Sequence, residues 1–195
     1  MGLILLDPRA EDHAAPQARD ASPRPLYAAL ILAGILVLGA ALRLVGVDWD
    51  AGQHLHPDER FITMVETAIQ LPTSIGGYFD TAQSPLNPYN KGFGSFVYGT
   101  VPLFLVRLIA EWGHWANYGD ITLLGRVLSA LCDVGTIFML FLIGRRLFNW
   151  RVAALGAFLV AVTPMHIQQS HFFTTDSFLV FFLTVAFYYA VRTAK

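Results

Sequence analysis

Two carboxylates and two histidines stand together in the stretch Gln53-His54-Leu55-His56-Pro57-Asp58-Glu59-Arg60. Pro57 suits the first turn of a helix, where its missing N–H leaves nothing unpaired. Asp58 and Glu59 then fall in that turn, and Phe61, Met64, Val65, Ala68 and Ile69 recur behind them at helical spacing. A helix start favours the charged form of a carboxylate through its exposed N–H groups and its dipole. The pair reads as ionised acids at a membrane surface, able to accept protons or attract cations. Acids are common in first turns for structural reasons as well, so the residues alone leave both readings open.

The elements that must hold this stretch are membrane helices. The chain has 195 residues, 55% hydrophobic and 14% charged, with a mean hydropathy of +0.51. The charged share of soluble domains is roughly 25%, so the composition is that of an integral membrane protein. A net charge of −1 gives no general field for nucleic acid. Cys132 is the only cysteine, which rules out a disulfide within the chain and a cysteine metal site.

In chain order, 1–25 is a polar, proline-rich tail with mixed charges. Leu26 to Val47 is long enough to span, with Arg43 near its end and able to snorkel to the interface. The hydrophilic region 48–120 follows. It holds the helix from Pro57 to about Gln70, an irregular stretch from Ser74 to Gly94, and the apolar segment Ser95 to Trp112. Leu123 to Ile143 is a second span carrying Asp133. Val152 to about Ile167 is a third span, and a fourth begins at Ser177. The expected fold is all-α and polytopic, with about four transmembrane helices plus external juxtamembrane helices.

Charge decides the orientation. Arg145, Arg146 and Arg151 crowd one turn, and Arg9, Arg19 and Arg24 lie in the tail, so both belong in the cytoplasm. Ser95 to Trp112 should then not cross. Pro102 is expected to break it, with Arg107 and Glu111 held in the headgroups. Region 48–120, with eight acidic residues against three basic, is then external. So is His166 to Asp176, which brings His54, His56, Asp58 and Glu59 to the same face as His166, His171 and Asp176. Asp176 also fits a helix N-cap, and the histidines fit ordinary interfacial hydrogen bonding. Asp133 should face the bundle and find a partner, because a charge in lipid is costly. Arg126, seven residues earlier, is one candidate for that partner.

The order of motifs resembles the N-terminal part of the GT-C glycosyltransferases. It runs Pro57-Asp58-Glu59, Tyr89-Asn90-Lys91-Gly92, Gly125-Arg126-Val127-Leu128-Ser129-Ala130, Gly144-Arg145-Arg146-Leu147-Phe148, Thr163-Pro164-Met165-His166-Ile167 and Phe172-Phe173-Thr174-Thr175-Asp176-Ser177-Phe178-Leu179. The nearest branch resembles protein O-mannosyltransferases and lipid A aminoarabinose transferases, over about Leu26 to Arg192. The resemblance implies an enzyme that moves a sugar from a polyprenyl-phosphate carrier to a protein or lipid acceptor. It works on the external face of, here, a bacterial cytoplasmic membrane.

It further implies that Asp58 acts on the acceptor hydroxyl as general base, with Glu59 beside it and Asp176 as a second acid. Oligosaccharyltransferases of the superfamily hold a divalent cation between two acids. Here Thr174 stands where the first would be, which argues against a metal. The family's Pro-Pro pair is replaced by Pro88-Tyr89-Asn90-Lys91.

A departing lipid phosphate calls for cations, and Arg60, Lys91 and Arg126 are candidates. His56, Tyr89 and His171 join them as substrate contacts. Tyr78, Phe79, Tyr89 and Trp112 suit sugar stacking or an interfacial belt. The chain closes just after its fourth span, where the family continues, so it is expected to be an N-terminal piece. The alternatives are a transporter or channel element with Arg126 and Asp133 along a path, or a non-catalytic membrane subunit.

Overall fold

The computed structural model describes residues 25–194; the tail expected at 1–25 lies almost wholly outside them, as does Lys195. Helix α1 (Pro25–Leu44) has 20 residues, which at 1.5 Å per residue gives about 30 Å, the thickness of a bilayer core. α5 (Tyr118–Leu147) has 30 residues and extends well beyond that thickness. α8 (Asp176–Ala194) has 19. These three are long and apolar enough to cross a membrane.

The third expected span is not one helix. α6 (Trp150–Ala161) and α7 (Pro164–Ser170) meet at an angle of 58°. Pro164 causes the break: it lacks an N–H, and its ring clashes with the carbonyl four residues back, that of Val160. The freed carbonyls find a donor in Arg43. Its Nη1 reaches Ala161 O at 2.8 Å and its Nη2 reaches Val160 O at 3.2 Å. Arg43 is therefore fully buried and does not snorkel to the interface as expected.

Region 48–120 forms a cap on the N-terminal part of α5. It contains α2 (Pro57–Ala68), the short α3 (Ile75–Phe79), a 3-10 turn at Pro88–Lys91, and α4 (Thr100–Gly113). The two short helices lie inside the stretch expected to be irregular. Ile62 and Val65 of α2 and Ile69 just after it pack with Leu103, Val106 and Ala110 of α4 and with Ile121, Phe173 and Phe178. A second core of Ile35, Ile137, Phe141 and Ala153, Ala157 and Ala161 joins α1, α5 and α6.

α4 has 14 residues, about 21 Å, short of the roughly 30 Å core. Pro102 does not break it. The residue falls in the first turn, where no N–H is needed. Val101, Leu105, Leu108 and Trp112 form an exposed apolar stripe at helical spacing. Arg107, expected in the headgroups, instead turns inward. It pairs with Glu111 at 2.8 Å and donates from Nη1 to the Glu66 carbonyl at 3.0 Å.

Candidate functional site

α2 begins at Pro57, with His56 as N-cap accepting from the Glu59 N–H. The two acids of its first turn have opposite fates. Asp58 is exposed and accepts a 2.9 Å hydrogen bond from the Tyr98 hydroxyl. Glu59 is fully buried. Its oxygens receive Arg126 Nε and Nη2, both at 2.7 Å, and the Phe173 N–H at 2.7 Å.

Arg126 also donates to both oxygens of Asp50, at 3.0 and 2.8 Å, and to Val47 O at 3.0 Å. A guanidinium has five N–H donors, and all five are used. The bond to Arg126 lowers the Asp50 carboxyl from its usual 3.8 to about 2 despite burial. Trp49 covers the guanidinium, 5.8 Å from its ring centroid. Arg126 is thus the clasp between the first loop, α5 and the segment before α8, with no donor left for a phosphate.

Nor does Arg126 pair with Asp133. Asp133 Oδ2 takes Arg43 Nε at 2.6 Å, and its Oδ1 faces His166 Nδ1 at 2.8 Å. The shared path imagined for a transporter is divided between two separate clusters.

The segment 166–176 does meet the first loop. Phe172 packs on the His56 ring at 4.4 Å and on Trp49 at 5.7 Å. Asp176 is exposed and is the first residue of α8, one position inside the helix rather than its cap. Burial, then the bond to Asp58, then the charges of Asp58 and Asp176 raise the pKa of Tyr98. Tyr98 therefore stays a donor and feels both exposed acids. Nothing in the sequence singled it out. It lies 40 residues beyond Asp58 in an apolar run, and only the fold returns it.

The other expected contacts scatter. Arg60 is exposed and spends Nε and Nη2 on the His54 carbonyl, at 3.1 and 3.0 Å. Tyr89 bonds the Phe96 carbonyl at 2.8 Å, and Lys91 lies in the last turn of the 3-10 helix. The ring nitrogens of His171 face Ile167 O at 2.7 Å and Val45 O at 3.1 Å, tying α7 to the end of α1. Among the described residues no three His, Cys, Asp or Glu side chains gather as a metal site. Thr174 is buried, and its hydroxyl has no hydrogen-bond partner among the described residues.

Residues 118–195 match the family model of dolichyl-phosphate-mannose-protein mannosyltransferases. That match makes this part of the chain similar to that family. It covers α5 to α8, the helices that carry Arg126, Asp133, His166 and Asp176. No curated protein and no solved structure matches the chain.

Proposed function

We propose that the chain transfers a sugar from a polyprenyl-phosphate carrier to a hydroxyl of a protein or lipid acceptor on the external face of the membrane. The observation that carries this reading is the Asp58–Tyr98 contact, with Asp176 acting on the same phenol. Asp58 is the exposed acid of the pair, and it takes the acceptor's proton as the acceptor oxygen attacks the anomeric carbon. The carbon–phosphate-oxygen bond breaks, and its electron pair leaves on the phosphate. Tyr98 holds Asp58 in place. Arg60 and Lys91, rather than the saturated Arg126, are the cations open to the departing phosphate. Asp176, whose charge also acts on Tyr98, orients the sugar or acceptor. Glu59 belongs to the framework beneath them.

The test is transfer of labelled sugar from a prenyl-phosphate donor in membranes containing the enzyme. Asp58→Asn should lower the rate by about 10²- to 10⁴-fold, the usual worth of a general base, with membrane insertion unchanged. Transfer at the unaltered rate would remove Asp58 from this role.

A further inference from the structure

A cavity of about 190 Å³ lies between α5, α7 and α8. His166 lines it, and the His166 side chain is 32% exposed. Asp133 reaches it from α5, and Asp176 and Ser177 from the start of α8. Asp133 lies seven residues further along α5 than Arg126, about 10 Å deeper.

The bonding around Asp133 fixes what His166 offers. Arg43 Nε–H occupies Oδ2, so Asp133 acts as an ionised acceptor and His166 Nδ1 must donate to Oδ1. Nε2 then carries a lone pair in the neutral ring and an N–H in the charged one. Among the described residues Nε2 has no hydrogen-bond partner.

The charge around the cavity selects the ligand. Arg43, from α1, is spent on Asp133 and on the carbonyls of Gly39, Val160 and Ala161. The Arg43 and Asp133 charges cancel, which leaves Asp176 as the remaining carboxylate among the lining residues, beside the titratable ring of His166. A phosphate is repelled by that carboxylate. A neutral ring bearing hydroxyls is not. It finds a hydrogen-bonding partner at His166 Nε2, an acceptor at Asp176, the amide of Gln169, which also reaches Asp176 at 3.5 Å, and apolar walls at Met165 and Val180 for its C–H face. The space equals about six waters at roughly 30 Å³ each, the scale of one sugar ring.

We propose that this cavity seats the sugar ring of the donor, with His166 Nε2 hydrogen-bonded to one ring hydroxyl. His166 is then a specificity-determining residue and Asp133 its positioning residue. The inference rests on the transferase reading and adds where the sugar sits. The ring lies in the cavity and the phosphate stays outside it.

The test is equilibrium binding to the full chain in detergent, without acceptor. The probes are prenyl phosphate, its mannosyl, glucosyl and galactosyl esters, and monodeoxy versions of the tightest. One glycosyl ester should bind more tightly than bare prenyl phosphate. Removal of one hydroxyl should cost at least about tenfold. His166→Phe should erase that discrimination, and His166→Gln, which keeps a hydrogen-bonding group, should restore part of it.

Asp133→Asn should change the His166 tautomer seen by ¹⁵N NMR, a readout indifferent to general loosening. Equal binding of bare and glycosylated probes, or discrimination that survives His166→Phe, would overturn the proposal. Because binding is read without turnover, it is independent of the transfer assay. Transfer unaffected by Asp58→Asn would remove the base and leave the sugar seat standing.

Discussion

Glu66 lies on α2 two turns beyond Glu59 and has no such clasp. It is fully buried, and neither carboxylate oxygen has a hydrogen-bond partner among the described residues. Burial pushes its pKa from 4.5 up to about 9, against the opposing charge of Arg107. The folded chain therefore keeps a proton that the unfolded chain releases above its ordinary value. Stability should fall as pH rises from about 4.5 and level off near 9. Glu66→Gln should flatten that slope and raise stability near neutral pH by on the order of 3 kcal/mol. Thermal unfolding in detergent across this range measures it, and a slope unchanged by the substitution would refute the assignment. The contrast with Glu59 was not legible in the sequence, where both are helix acids. The partner that separates them, Arg126, comes from 67 residues away. The pairing of Arg126 with Asp133 failed for a local reason. Residues seven apart share a face but sit about 10 Å apart along the axis, beyond side-chain reach, whereas three or four apart they touch.

At the scale of elements, the close approach of α5 and α6 depends on Gly144. A Cβ added there would stand 2.9 Å from the Ala153 Cα and 3.1 Å from its Cβ. The nearest atom is backbone and cannot swing aside. Gly144→Val should force the helices apart and cost about 1–3 kcal/mol, read as a lower melting temperature; an unchanged value would show that the turn has slack. Apolar length made the long helices legible from sequence, and Pro57 marked the start of α2 correctly. Two prolines were misjudged in opposite senses. Pro102 falls in a first turn and does no damage, while Pro164 divides the expected third span. Their position within the helix, rather than their presence, decided the outcome.

The whole molecule combines a bundle of long apolar helices with a cap whose α4 carries an exposed apolar stripe. If α4 lies in the interface, the segments on either side of it share one face of the membrane. Single cysteines at the exposed positions Gln83, Gly119 and Phe148, in a Cys132→Ala background, test this. An impermeant thiol reagent on intact cells should label positions 83 and 119 and spare 148. Labelling at 83 and 148 without 119 would mean that α4 crosses, and that Asp58 and Asp176 lie on opposite sides. The cap's interior was the least legible part of the fold. Its core joins α2, α4, Phe173 and Phe178, segments that no short-range periodicity connects.

Arg43 also bears on how the protein is made. Its carboxylate partner is 90 residues downstream and its carbonyl partners Val160 and Ala161 are 117 and 118. At roughly 5–20 residues per second, the first helix exists for about 5–18 s before Asp133 has been synthesised. Through that interval the guanidinium is expected to stay among the headgroups, where its long stem lets it reach. Only when α5 and the broken third span arrive can it be drawn inward. The first helix should therefore shift its depth late in biogenesis. Glycosylation-distance mapping of α1 in nascent chains truncated before and after Asp133 should show that shift, and an identical depth in both would exclude it.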